Sequence, residues 1–165
     1  MRQTGRHRRP AGLTRLLLRL PIQLYRFHLG WLLGGRFVLI HHVGRRSGTP
    51  RQVVVEVVAH VREPESWTVA SGFGPTADWY RNLLAQPDTT IQVGRRTAPV
   101  TAVPLTPDEG ARTMEAYAAA HPPTAGRLAG FMGFEVDGSA QDYRDVGRNL
   151  PFIRLTRRTG ASPTG

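Results

Sequence analysis

From Phe37 to Val103 the apolar and β-branched residues come in five short runs, each bounded by glycine, proline or charged residues. Runs of this length with turn residues between them predict strands, at Phe37 to Val43, Gln52 to Ala59, Ser66 to Ser71, Thr89 to Val93 and Thr97 to Val103. A sixth is expected at Leu150 to Thr156. The run Val53-Val54-Val55-Glu56-Val57-Val58 is apolar on both faces except at Glu56, so it predicts a central strand with Glu56 paired or facing a cavity. Helical spacing takes over between Thr76 and Gln86. It returns at Thr106-Pro107-Asp108-Glu109, where a threonine cap, a proline at the first helical position and a glutamate at the third form a capping box for a helix to about Ala120. Pro122-Pro123 then breaks the chain before a short helix expected at Thr124 to Met132. Upstream, Leu13, Leu16, Leu17, Leu20, Leu24, Phe27 and Trp31 share one helical face, with Arg15, Arg19 and Arg26 opposite and Pro21 dividing the segment. Strands in the majority and helices at their edges predict an α+β fold with an antiparallel sheet, not a doubly wound dinucleotide fold.

At 165 residues the chain suits one domain. The pattern divides it into an Arg-rich arm without predicted order at 1–12, an amphipathic segment at 13–35, a strand domain at 36–158 and a flexible tail at 159–165. Cysteine is absent and every basic residue is arginine, so disulfides, thiolate chemistry and lysine Schiff bases are excluded. Residues 1–55 hold eleven arginines and no acid, while the remainder holds eleven against twelve acids. The formal charge of +10 therefore belongs to the N-terminal third. Such a surface faces a lipid headgroup layer, a polyanionic ligand or nucleic acid. Nucleic acid is not expected, because no recognition helix, zinc-finger pattern or basic-aromatic strand accompanies the arginines. Three arginines interrupt the 13–33 segment, which rules against a membrane span needing ~20 apolar residues. Its stripe either packs on the strand domain or lies on an anionic membrane surface, at the inner face of a cell membrane in a protein that is otherwise cytoplasmic.

Two clusters carry the candidate chemistry. Gly44-Arg45-Arg46-Ser47-Gly48-Thr49-Pro50-Arg51 puts three guanidinium forks and two glycines in one turn, a combination that grips phosphate or carboxylate oxygens. A hairpin turn with solvated arginines would look the same. Downstream, Ala70-Ser71-Gly72-Phe73-Gly74 precedes Asp78-Trp79-Tyr80-Arg81-Asn82-Leu83, a second Gly-rich turn that opens an aromatic helix. The histidines do not form a metal pattern: His41 and His42 point to opposite strand faces and the others are isolated, so no metal is expected. Neither Ser47 nor Ser71 has the elbow of a serine nucleophile.

Together these residues resemble the deazaflavin-dependent nitroreductase family of actinobacteria and related reductases that use coenzyme F420. The shared pattern covers Gly44 to Gly48, Arg51, Ala70, Ser71, Gly74, Trp79, Tyr80, Asn82, Leu83 and Pro87. The resemblance implies a six-stranded antiparallel split β-barrel, of the FMN-binding kind, with peripheral helices and an N-terminal amphipathic helix. It implies that Arg45, Arg46, Ser47, Gly48 and Arg51 hold the phosphate and acidic tail of F420, with the backbone of Val53 and Val54 along the ring. Ser71, Gly72 and Gly74 would present N–H groups, Phe73 would stack at the ring edge, and Trp79 and Asn82 would touch the cofactor. The implied reaction is hydride transfer to a small electrophile such as a quinone, a nitroaromatic or an activated alkene. Tyr143 and Glu56 are the two candidate donors to the developing charge. The chain departs from the pattern at Phe73, at Ala77-Asp78, and at Glu56, which stands where relatives carry a tyrosine. FMN or haem on the same barrel, and a non-enzymatic cofactor- or lipid-binding module, remain alternatives. A homodimer is compatible with either.

Overall fold

The computed structural model describes residues 2–3, 35–131 and 133–160. The arm, the amphipathic helix and the end of the tail expected from the sequence lie outside the described residues, apart from Arg2, Gln3 and Gly35. In chain order the elements are β1 (Arg2–Gln3), β2 (Phe37–Val43), β3 (Pro50–Arg62), β4 (Glu65–Ala70), α1 (Asp78–Ala85), β5 (Asp88–Val93), β6 (Arg96–Pro104), α2 (Pro107–Ala120), α3 (Pro122–Phe131), β7 (Phe134–Glu135), α4 (Ala140–Asn149) and β8 (Phe152–Arg157). Six strands close into an antiparallel barrel in the order β2-β3-β4-β8-β6-β5, and β1 pairs with β7 outside it. The predicted α+β barrel is thus present, and closure leaves its strands without a free edge.

Strand β3, 13 residues long, was expected to be central; in a closed barrel every strand has two neighbours, and β3 is half-buried along its middle and exposed at its ends. Along most of its length it pairs with β2 and then with β4, in a register that places His42 opposite Arg51, Ile40 opposite Val53 and Phe37 opposite Glu56. Val53, Val55 and Val57 pack inward on a barrel core of Val38, Ile40, Trp67, Val69, Ile91, Val100, Ile153 and Leu155. Leu83 of α1 enters the same core, so this helix covers one mouth of the barrel. A register shift between Val57 and Ala59 marks a bulge. Val58 points the other way, onto a second core built from α2, α3, α4 and Phe152 on the barrel's outer side.

The capping box forms as expected, Glu109 N–H donating to Thr106 Oγ1 at 3.3 Å and Thr106 N–H to Glu109 Oε2 at 2.9 Å. Two expectations need correction. Pro122 and Pro123 do end α2, at Ala120, but they also open α3 two residues before its expected start, because the first turn of a helix has no use for its N–H groups. No helix was expected around Tyr143, yet it lies in the first half of α4, capped by Ser139 Oγ, which accepts from Asp142 N–H at 3.1 Å.

Helix α4 lies on α2 through glycines. A Cβ built on Gly147 would stand 2.2 Å from Gly110 O, and one on Gly110 would stand 2.4 Å from Gly147 O. The axes approach closely only because both side chains are hydrogen. Gly147→Ala should therefore destabilise the protein by about 1–3 kcal/mol, the usual cost of overpacking. Gly126→Ala, in the interior of α3 with only an ordinary contact to Tyr143 Oη at 3.5 Å, should be neutral or stabilising. Chemical denaturation of the two variants checks the contrast, and equal midpoints would rule out a backbone clash at Gly147.

Candidate functional site

The turn between β2 and β3 is folded on itself. Gly48 N–H donates to Gly44 O at 2.8 Å and Gly44 N–H to Thr49 O at 3.0 Å, while Gly48 takes φ 68°, which favours glycine. A Cβ at Gly44 would meet only the movable Ser47 Oγ, at 2.3 Å, so Gly48 is the glycine that the shape requires. Gly48 thereby spends its N–H on the turn. Ser47 Oγ accepts from Thr49 N–H at 3.2 Å. The turn lines a cavity of about 260 Å³ together with Arg45, Arg46, Arg51, Asp78 and Asn82.

The three arginines are not equivalent. Arg45, its side chain 24% exposed, donates through Nη1 to Asp78 Oδ1 at 3.2 Å and to Asn82 Oδ1 at 2.9 Å. Its backbone N–H reaches the same Asn82 oxygen at 3.1 Å. Arg46 and Arg51 are exposed and have no acidic partner among the described residues, so their guanidinium groups are available to an anion. Asn82 is 3% exposed. Its Nδ2 lies 3.0 Å from Nδ1 of His42, itself only 7% exposed. Asn82 is therefore committed to protein partners on both ends of its amide.

His42 escaped the sequence reading, which weighed it only as a metal ligand. Its signal was its register: an inward strand position opposite Arg51 at the barrel mouth. Burial, followed by the nearby Arg51 charge, lowers its pKa from the ordinary 6.5 to about 4; Asp78 acts in the opposite sense and His41 adds a smaller push downward.

A second cavity of about 370 Å³ lies farther along β3, lined by Arg36, Glu56, Val57, Tyr117, His121 and Thr124. Glu56 is paired and lines a cavity at once. It accepts from Tyr117 Oη at 2.8 Å and lies 3.5 Å from Arg36 Nε. Burial, followed by the hydrogen bond to Glu56, raises the Tyr117 pKa, so the phenol stays protonated at ordinary pH. Tyr117 too was missed, since a lone tyrosine on a helix reads as core. Glu56 and Arg51 are five positions apart, roughly 17 Å along an extended strand, and alternate to opposite faces of it. Val53 and Val54 stand between the two cavities, Val53 packed on the barrel core and Val54 directed to the other face.

The remaining expected site residues fall elsewhere. Ser71 is fully buried and donates through Oγ to Gly74 O at 2.7 Å, while Gly74 N–H returns to Ser71 O at 3.0 Å. This turn, with Gly74 at φ 84°, does not open the helix: α1 starts at Asp78, after Ala77. Gly72 is half-buried and Phe73 exposed in the same turn. Trp79 packs against the barrel core, its ring edge-on to Tyr80 at 6.2 Å. Tyr143, 6% exposed, belongs to the helical core and lines neither cavity.

The family model of F420H(2)-dependent quinone reductases matches residues 21–128, a span that contains the folded turn, β3, α1 and Tyr117. The chain belongs to this family. It is an oxidoreductase that depends on coenzyme F420 and acts on a small molecule. A putative F420H(2)-dependent quinone reductase of Mycobacterium tuberculosis is 37% identical over 87 residues, which are 49% of this chain and 71% of that one. Another F420H(2)-dependent quinone reductase of the same organism is 28% identical over 125 residues, 73% of each. The solved structure of HutZ, a haem storage protein of Vibrio cholerae, matches with a TM-score of 0.51 over 86% of this chain and 92% of its own. At 13% identity that likeness shows the fold alone. The residues present fit an F420 reductase, because a phosphorylated, acidic tail needs cations that no protein carboxylate already neutralises, and Arg46 and Arg51 are of that kind.

A depressed histidine pKa makes stability depend on pH. Below 6.5 the unfolded chain binds a proton that folded His42 refuses until about pH 4, so protons favour unfolding across that window. The melting temperature should fall as pH is lowered from 6.5 towards 4, and His42→Leu should flatten the decline. An unchanged slope in that variant would show that His42 does not carry it.

Proposed function

We propose that the chain reduces a small electrophilic acceptor, with quinones the first candidates and nitroaromatics and activated alkenes next. When bound, reduced F420 supplies the hydride. The observation that carries the assignment of roles is the convergence of Arg46 and Arg51, both without acidic partners among the described residues, on the cavity of the folded turn. In this reading Arg46 and Arg51 bind the anionic tail, Arg45 shapes the turn from beneath, and Ser47 and Gly44 bring backbone close to the ligand. The backbone of Val53 and Val54 orients the ring. At the far end Tyr117 takes the donor role expected of Tyr143: its hydroxyl, protonated and resting on Glu56, leaves that carboxylate to donate its one proton to negative charge developing on the acceptor, while Arg36 stays paired with Glu56.

Side-by-side titrations should show F420 bound more tightly than FMN or NADPH by about tenfold or more. Equal or tighter FMN binding overturns the cofactor assignment. Two variants then separate the ends of the site. Arg51→Ala should weaken F420 binding by about 1.5–3 kcal/mol at an unchanged melting temperature, the worth of a charge-assisted hydrogen bond. Tyr117→Phe should lower kcat by roughly 10²-fold with the F420 dissociation constant unchanged. A normal kcat in Tyr117→Phe would remove that residue from the chemistry.

The same reading extends to location. Among the described residues no helix is long and apolar enough to cross a membrane. We propose that the protein is cytoplasmic and peripheral to the inner face of the cell membrane through residues 13–33, where an apolar stripe meets an arginine surplus, and that it functions as a homodimer. Salt-sensitive co-sedimentation with anionic vesicles, lost in a chain beginning at Gly35, supports the membrane role; equal binding by a folded truncation defeats it. Sedimentation at micromolar concentration decides the dimer.

A further inference from the structure

We propose that His42 is a positioning residue of the anion grip: it holds Asn82 in the one amide orientation in which Oδ1 faces Arg45. The inference rests on the reading that the 44–51 turn binds the anionic tail of the cofactor.

An asparagine amide has an acceptor end and a donor end, and rotation by half a turn exchanges them. Two donors approach Asn82 from Arg45, the backbone N–H at 3.1 Å and Nη1 at 2.9 Å. Only the acceptor end can meet them. In the reversed orientation Nδ2 would face both donors, and Asn82, 3% exposed, has little water at hand to repair the loss. The other end of the amide therefore decides which orientation persists, and there it meets His42 Nδ1 at 3.0 Å. Since Nδ2 can only donate, Nδ1 must accept, which places the ring proton on Nε2.

The surroundings favour that state of the ring. Arg51 faces His42 across the β2–β3 ladder, His41 adjoins it on β2, Arg45 lies on the far side of Asn82, and among the described residues Asp78 of α1 is the opposing charge. Burial and the Arg51 charge disfavour the imidazolium. An apolar residue at this inward strand position would suit the burial but leave Nδ2 without a partner. A second cation would set donor against donor. Histidine meets both demands, being a buried ring with an acceptor at the required place.

The consequence reaches the ligand through one further step. Asn82 anchors Arg45 at both its backbone and its guanidinium, and Arg45 lies inside the turn that Gly44 and Gly48 fold. Arg46, the next residue, is aimed by the same anchor. His42 touches no anion itself and acts through Asn82.

The test compares His42→Leu with His42→Asn, whose side-chain oxygen comes near the position of Nδ1. Nitrogen NMR of the cofactor-free protein should show His42 Nδ1 unprotonated at neutral pH. His42→Leu should shift the Arg45 backbone amide and the Asn82 side-chain amide and weaken F420 binding about tenfold. His42→Asn should keep binding within about twofold of the wild type. A rescue of this kind would not follow from loss of packing alone, since asparagine fills the site no better than leucine. The proposal is overturned if Nδ1 carries the proton, if His42→Leu leaves the Arg45 resonance and the affinity unchanged, or if both variants lose affinity equally. Should His42→Leu not fold, the Nδ1 protonation state and the His42→Asn affinity still decide it. Should the wild type not bind F420, the proposed function fails, and the NMR readout alone decides the amide orientation.

Discussion

Both cavities and both cores depend on the alternation of β3. Residues that alternate along an extended strand serve two faces, and here each face has its own task. Val53, Val55 and Val57 turn inward and fill the barrel. Val58 turns outward onto the helical layer, and Glu56 on that side meets Tyr117. A one-residue slip against β2 would exchange the faces, placing Glu56 in the barrel core and the valines against α2. The short folded turn at 44–49 sets that register, so the segment that aims the arginines also fixes the strand on which the second cavity stands.

The helical layer has a different origin. Three helices cover the outer face of a closed barrel, and α2 and α4 meet at glycine backbones with no side chain between them. This close approach brings Phe152, Met114 and Val146 into one core with Tyr117 and Tyr143. Tyr117 thereby gains a rigid seat from which its hydroxyl reaches Glu56. Tyr143, one helix farther from the barrel, fills space in the same core.

The arginine surplus is also divided by neighbours. Arg45 is spent on Asp78 and Asn82, and Arg96 and Arg157 are spent on Glu65, which accepts from both at 2.9–3.1 Å and is held below the usual carboxylate range, first by Arg96. Arg46 and Arg51 escape such pairing. What sets these two apart from the other arginines without a carboxylate partner is that both line the cavity of the folded turn.

By itself the residue pattern determined the strands, their antiparallel sheet and the turns between them, while the closed barrel was implied by the resemblance to the F420 reductases. Alternation, β-branched runs and glycine-bounded turns act locally, so β2 and the capping box of α2 were legible residue by residue, and β5 to within one residue. The pattern at 44–51 with Trp79, Tyr80 and Asn82 also pointed to the F420 reductases. Helix α4 was harder to read because its interior carries Gly147 and many polar residues, although Ser139 at the cap and the spacing of Tyr143, Val146 and Leu150 were in view. What only the tertiary structure decided were contacts between residues far apart in the chain. Asn82 meets His42 across 40 positions and Tyr117 meets Glu56 across 61. No local period encodes such pairs: which tyrosine reaches the carboxylate, and which end of an amide faces an arginine, depends on how closed strands and glycine-packed helices bring distant side chains together.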